Sequence, residues 1–406
     1  MARKRRGDVR AQDVKALKYF EKLAPLLERL HGDACGRDKA GNRELHYDQY
    51  CLLILLYLFN PIVSSLRSLQ QASQLANVQK RLGCGRASLG SLSEAASVFD
   101  PERLKEIIGE LSAELQPLVR DRRLQDVPQL TAVDGTLLTA LPKMMQAALL
   151  KQQTGKGLVK WRLHTQFEVE RFVPTRIDVR PNGGGEHDER AVLATTLRAD
   201  VTYVMDRGYF KYQLCNAIVD AGSSYVCRVR DDISFEVVEE RPLSDEARAT
   251  GVIRDVVVRL AADRGPNHRP NHPVRLVFIQ TTPHEKASHR KGNTGAGPSD
   301  GVLRLIANLL DPPAEIIGLI YQQRWAIEIF FRFFKHLLGC RHLLSHSQNG
   351  IEIQTYCAII ACLLMSLWTG RKPTLRTYEM VCYYFCGLAS EEELIAHLNR
   401  LPPQKT

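Results

Sequence analysis

The chain holds ten cysteines but no CxxC pair: Cys35, Cys51, Cys84, Cys215, Cys227, Cys340, Cys357, Cys362, Cys382 and Cys386 are scattered. That spacing excludes the usual zinc knuckle, and the cysteines are too sparse for a secreted disulfide framework. Several stand in apolar runs such as YCAIIACLLM, where a free thiol behaves as a small hydrophobe. Cys382 and Cys386, one helical turn apart, read as core. The usage fits a reducing, cytosolic compartment. The basic start MARKRRGDVR is not followed by an apolar segment, so no signal peptide is expected. The runs CLLILLYLFNPIV (51–63) and YCAIIACLLMSLW (356–368) fall short of the ~20 apolar residues that a bilayer requires, and are expected as buried helices. Nor is there an internal repeat at solenoid periods.

What is present is ordinary in amount and unusual in balance. A chain of 406 residues can bury a large core and suggests two or three domains. Its 44% hydrophobic and 25% charged residues are those of a globular protein. The net charge is +10, with a pI near 9.1. Such an excess suits a polyanionic partner, nucleic acid first and an anionic membrane surface second, and it also fits plain solubility charge.

Helical periodicity dominates residues 1–125, in VKALKYFEKLAPLLERL, in the 45–60 run and in SLRSLQQASQLANVQKRL. GCGRASLG breaks the pattern, and Ser91 with Glu94 in SLSEAASVF has capping-box spacing. Two short helices across this turn fit a DNA-reading helix-turn-helix, although the sequence favours plain helix packing. The period changes near residue 128. LTAVDGTLL predicts a strand ending near Asp134, and WRLHTQFEVE with RFVPTRIDVR predicts a hairpin. A helix follows around 188–198, then the strand VTYVMDRG to Asp206, the helix YFKYQLCNAIVDAG and the strand SSYVCRVR. This is a five-stranded mixed sheet with covering helices over 126–230. Residues 231–310 are rich in alternating strand patterns (DVVVRLAAD, HPVRLVFIQTT, GVLRLIANLL), 311–345 return to helix, and 346–406 are apolar helix with a Pro-rich tail.

The segment YQQRWAIEIFFRFFK, Tyr321–Lys335, raises the chemical question. On one continuous helix, Arg324, Glu328 and Lys335 fall at about −60°, −20° and −40° from Tyr321, a single polar stripe on an apolar cylinder. Two readings fit the stripe taken alone: a solvated row of weak i,i+4 ion pairs involving Arg324, Glu328 and Arg332, or a face with work to do. Asp134 and Asp206 each end an apolar strand, where open α/β sheets place functional groups, although either can also be a turn former or helix cap. Three converging carboxylates require a cation to offset their repulsion. Oxygen ligands select Mg²⁺ or Mn²⁺ over zinc, and two such ions ~3.5–4 Å apart serve in-line attack on a phosphodiester.

With Tyr321-x2-Arg324-x3-Glu328-x6-Lys335 beside Asp134 and Asp206, the chain resembles the DDE transposases of bacterial insertion sequences, and within them the insertion-sequence-four branch marked by this Tyr-Arg-Glu-Lys spacing. DGT at Asp134, KWRLH with Lys160 and His164, the Gly-rich loop before His187-Asp188, and DRGY at Asp206 extend the resemblance over about 128–365. It implies an RNase H-like mixed sheet with flanking helices, interrupted by a mostly β insertion, plus helical N- and C-terminal regions. It further implies that Asp134, Asp206 and Glu328 are catalytic and hold two Mg²⁺ (or Mn²⁺) ions, while Tyr321, Arg324 and Lys335 bind DNA phosphates. The partners it implies are the terminal inverted repeats of the chain's own element and target DNA. A dimer would form when two ends are synapsed, in a cytoplasmic, nucleoid-associated setting. Trp325 fits either an unpaired base or the core, and His187-Asp188 either a helix cap or the edge of the site. His268, His272, His284 and His289 lie in polar loops with little to suggest metal binding.

Overall fold

The computed structural model describes residues 23, 25–32, 43–115, 121–138, 161–261, 269–281, 301–339, 343–345, 347–369 and 374–400. Lys160, His268, His284, His289, Cys35, Cys340 and the basic N-terminal stretch lie outside the described residues. In the N-terminal region, helices α1 (Tyr47–Phe59), α2 (Leu66–Ser73), α3 (Ala76–Leu82), α4 (Leu89–Val98) and α5 (Glu102–Glu114) follow one another. The capping box expected at Ser91 and Glu94 lies three residues too late. Helix α4 starts at Leu89, and Ser88 caps it by accepting from the Ser91 amide at 2.9 Å. A serine every third residue (Ser88, Ser91) offers two phases, and Gly90 carries no side chain to favour the later one.

After the sheet described below come α9 (Ala314–Gln322), α10 (Trp325–Gly339), α11 (Gln348–Thr369), α12 (Leu375–Phe385) and α13 (Glu391–Arg400), with α6 to α8 lying between strands. Helix α11 corrects the expectation that its apolar run is too short to cross a membrane, since it has 22 residues. Its apolar window is, however, 89% buried inside the protein, which makes it a central core helix. Tyr356 through Met365 are all at most 2% exposed. They share one apolar cluster with Leu53, Tyr57 and Leu58 of α1, with Leu104 and Leu111 of α5, and with Phe330 and Phe334 of α10. Polar pins cross the same boundary: Asn349 Nδ2 donates to the Phe99 carbonyl at 2.7 Å, and the Tyr378 hydroxyl to the Leu58 carbonyl at 2.6 Å. The N- and C-terminal helices therefore close one core between them.

Nine strands form one continuous sheet in the order β3-β2-β1-β4-β5-β9-β8-β7-β6. Strands β1 (Gln129–Leu138), β4 (Val201–Met205) and β5 (Ser224–Arg228) run parallel, joined through the short α6 (Glu189–Ala194) and α7 (Tyr212–Asp220). Strands β2 (Trp161–Glu168) and β3 (Val173–Pro181) add the expected antiparallel hairpin on one side. The helix expected at 188–198 is shorter because Asp188 caps it and the Leu197–Asp200 stretch turns into β4. Strands β6 (Phe235–Glu240), β7 (Val252–Leu260), β8 (Val274–Gln280) and β9 (Val302–Ala307), with α8 (Asp245–Ala249), make up the β-rich segment after Asp231. This segment is no separate sheet, because β9 pairs antiparallel with β5 from Val226 to Arg228.

The continuous helix drawn from Tyr321 to Lys335 is interrupted. Helix α9 ends at Gln322, and the amides of Gln323, Arg324, Ala326 and Ile327 each bond three residues back, which tightens the chain into a kink. Phe330, Phe334, Ile327 and Leu337 bury as expected, yet Trp325 is 55% and Ile329 49% exposed. The core reading of Trp325 is thereby excluded. Phe330 is tilted against Phe167 at 5.1 Å and stacked on Phe334 at 5.5 Å, and its truncation to alanine should cost about 3–5 kcal/mol of stability. Trp325→Ala should stay within about 0.5 kcal/mol, both read from denaturant unfolding at constant m-value.

Candidate active site

Strand register builds the site. Ala132 lies level with Val204 on β1 and β4, and Val204 level with Val226 on β4 and β5. Two residues onward, the same row carries Asp134, Asp206 and Arg228 at the carboxyl edge of three adjacent parallel strands. Period-two alternation turns these three positions toward one face. Strand β1 does not stop at Asp134 as expected. It leaves β4 after Ala132 and continues to Leu138 along β2, with Asp134 opposite Thr165. The parting of β1 from β4 opens the crevice at the level of the two aspartates.

Each aspartate is fixed by its own backbone. Asp134 Oδ1 accepts from the Gly135 amide at 2.8 Å, and Asp206 Oδ1 from the Gly208 amide at 2.7 Å, capping the 3₁₀ turn Arg207–Tyr209. The cap reading of Asp206 is thus correct and leaves its second oxygen for other use. A Cβ at 135 would lie 2.9 Å from Glu189 Cδ, so a larger residue there would have to displace the Glu189 side chain. Glu189 in turn forms an ion pair with Arg162.

The kink after α9 delivers the third carboxylate. Arg324 Nη2 donates to Glu328 Oε1 at 2.6 Å, while the Arg324 guanidinium lies 5.9 Å from the Tyr321 ring and 5.5 Å from the Trp325 ring. Asp134 reports the charge of the whole neighbourhood. Burial, joined by the charges of Asp206 and Glu328, pushes its pKa up to about 6, against the Gly135 amide and Arg324, which lower it. Asp134, Asp206, Glu328 and Arg324 therefore occupy one electrostatic site. Burial also raises the Tyr321 hydroxyl, while Arg324 and Arg228 favour its ionised form. Lys335 and Arg332 are exposed further along α10; Lys335 lies two turns beyond Glu328 on the same side, and Arg332 makes no ion pair with Glu328 among the described residues.

The remaining candidates separate cleanly. Asp188 caps α6 and pairs with Arg190, whose hydrogen bonds hold the Asp188 carboxyl far below its usual range, so the cap reading of that pair is right. His164 is buried beside Gly135 in register, and burial together with Arg162 lowers its pKa to about 4, so it is neutral at pH 7. His272 is not on a loose loop: Tyr225 and Asn271 hold its two nitrogens at 2.9 Å. Glu189, Arg162 and Arg228 were not singled out from sequence. For Arg228 a signal exists, because it ends the third parallel strand in step with Asp206, which directly follows the second.

The donor types suit a hard divalent cation: three carboxylates, one of them pushed toward its protonated form by burial and by the charges of the other two. Among the described residues no group of three His, Cys, Asp or Glu side chains is gathered closely enough to hold a metal ion. Glu328 is instead committed to Arg324.

Residues 125–364, more than half of the chain, match the transposase DDE domain. The chain belongs to the DDE transposase family. A Synechocystis protein named as the transposase of an insertion sequence element is 38% identical over 308 residues, 73% of this chain and 77% of its own length. A Sinorhizobium fredii protein, also named as a transposase, is 26% identical over 249 residues, 60% of this chain; the match spans 63% of that relative, a little under two thirds. The piggyBac transposase in a synaptic complex with hairpin DNA superposes with a TM-score of 0.38 at 10% identity, over 95% of this chain and 79% of that one. A likeness so distant carries no weight for the details of this site.

In the protein as it stands, the raised Asp134 pKa means that the native state holds this proton more tightly than the unfolded chain does. Its contribution to stability is present below the ordinary carboxylate range and is lost as pH rises through about 6. Asp134→Asn should therefore stabilise the metal-free protein at pH 7.5 by about 1–3 kcal/mol and give little at pH 4. Urea unfolding at both values checks it, and equal stabilities at pH 7.5 would contradict the assignment.

Proposed function

We propose that this chain is the cut-and-paste transposase of an insertion sequence, of the insertion-sequence-four branch, with an RNase H-like core formed by β1 to β5. The observation that carries the reading is the row Asp134–Asp206 with Glu328 coupled to it across the kinked helix. In this reading Asp134, Asp206 and Glu328 hold Mg²⁺ or Mn²⁺. When bound, the cations lower the cost of charge on the attacking and leaving oxygens of a phosphodiester. The protein's own part is positional. The Gly135 and Gly208 amides fix one oxygen of each aspartate and leave the other for a cation. Arg324 keeps Glu328 paired until the site is engaged, and its guanidinium then becomes available to a phosphate, with which it can bond bidentately.

Tyr321, Arg324 and Lys335 grip phosphates beside the cleaved end, and Arg228, level with Asp206, belongs with them. The exposed Trp325 ring, capped on one side by Arg324, is suited to stack on an unpaired base. The N-terminal helices read the terminal inverted repeat, two protomers synapse two ends, and the reaction takes place in the cytoplasm on the nucleoid. The net charge of +10 supports an extended DNA path.

Single-turnover cleavage of a duplex carrying the element's own end tests the assignment. Asp134→Ala should lose at least about 10³-fold in rate, and a variant that cuts as well as the parent would sink the site. Lys335→Ala should weaken DNA binding and reduce the magnitude of its salt slope by about 1, with Mn²⁺ affinity unchanged. Equal DNA affinity at fixed salt would remove Lys335 from the phosphate grip.

A further inference from the structure

The insertion contains a buried charge pair that the catalytic reading does not use. Asp255 on β7 and Arg275 on β8 are 3% and 1% exposed, and they bond through both oxygens at 2.8 and 2.7 Å. The pair is not spent on itself alone. Arg275 Nη1 also donates to the carbonyls of Leu309 and Leu310 at 3.3 Å each and of Pro312 at 2.5 Å. Arg241, whose amide donates to the Asp255 carbonyl at 2.9 Å, sends its guanidinium to the Leu310 carbonyl as well. The carbonyls of Leu309, Leu310 and Pro312 lie in the link between β9 and α9, directly before the Pro313 cap.

That link is the start of the element that presents the third carboxylate. Tyr321 follows about 12 Å along the α9 axis, and the kink with Arg324 and Glu328 comes next. Helix α9 lies across both halves of the sheet: Ile317 and Ile320, both 0% exposed, pack in one cluster with Val204 and Val226 of the catalytic strands and with Val277, Leu305 and Ala307 of the insertion. The approach is close, since a Cβ on Gly318 would meet Ile279 Cδ1 at 2.9 Å. A guanidinium has five donors in a rigid fork, so one Arg275 can hold a carboxylate and three carbonyls together where an ammonium cannot.

We propose that Arg275, locked by Asp255, is a positioning residue: through it the β-rich insertion fixes the start of α9 and so sets how deeply Glu328 is presented to Asp134 and Asp206. The inference rests on the transposase reading of the site, and its test includes a readout independent of that reading. In the full-length chain, Arg275→Lys keeps the charge and loses the fork. Arg241→Met removes one contact to the link and leaves the buried pair intact, so it carries the test should Arg275→Lys fail to fold. Val258→Ala, a buried truncation on β7 away from the link, controls for lost stability alone.

Amide hydrogen exchange over residues 309–322 should accelerate by at least about tenfold in the Arg275 or Arg241 variant and not in the Val258 variant. The rise in Tm produced by Mn²⁺ should shrink in the same variants only. Exchange at 309–322 unchanged from the parent, or equally fast in Val258→Ala, would overturn the proposal. A parent protein that Mn²⁺ does not stabilise would count against the metal reading, and the exchange measurement would still decide the clamp.

Discussion

Asp134 and Asp206 stand level on neighbouring parallel strands, and the repulsion between them is the constraint on which the rest of the structure turns. At the strand spacing of ~4.8 Å, two like charges at an effective dielectric of 20 repel by about 3 kcal/mol. The pKa of Asp134, pushed up to about 6, reflects burial first and the charges of Asp206 and Glu328 after it. The Gly135 amide and Arg324 offset part of the rise, whereas the buried Tyr209 hydroxyl is driven toward its neutral form by burial and by both aspartates. In the proposed function a divalent cation would offset the rest.

The architecture serves to bring Arg324 and Glu328 into place. The parallel strands fix the two aspartates by register alone, a short-range device that the β-α-β connections supply. Glu328 arrives more than a hundred residues later, after the chain has extended the same sheet by four strands. Because β9 pairs with β5, those strands form a floor continuous with the catalytic one, and α9 rests on both. The large shared core of the N- and C-terminal helices then holds α10 from its other side through Phe330 and Phe334. The polar stripe is thus presented by a helix buried on most of its circumference.

Much of this was legible in the sequence because it is carried by local pattern. The strands up to Arg228 and the core helices declare themselves by period, and the carboxylates by their place at strand ends and in the Tyr-Arg-Glu-Lys spacing. What could not be read depends on geometry without a one-dimensional trace. A helical wheel cannot see the kink at Gln323–Arg324, and so it left Trp325 open between base and core and gave no sign that Ile329 is half exposed. The choice of Ser88 over Ser91 as cap turns on one residue of phase. Arg228 acquires meaning only when three strands are laid side by side, and Arg275 looks like any basic residue in a strand until its carbonyl partners, over thirty positions away, are brought to it.

The central claim is that the three carboxylates form one cation site which opens when Arg324 releases Glu328. Crystals of the protein with its terminal DNA and Mn²⁺, measured at the manganese absorption edge, test it most directly. The account expects anomalous density in contact with Asp134, Asp206 and Glu328, with Arg324 turned to a phosphate. Manganese bound away from Asp134 and Asp206, or Glu328 still paired to Arg324 in the engaged complex, would contradict it.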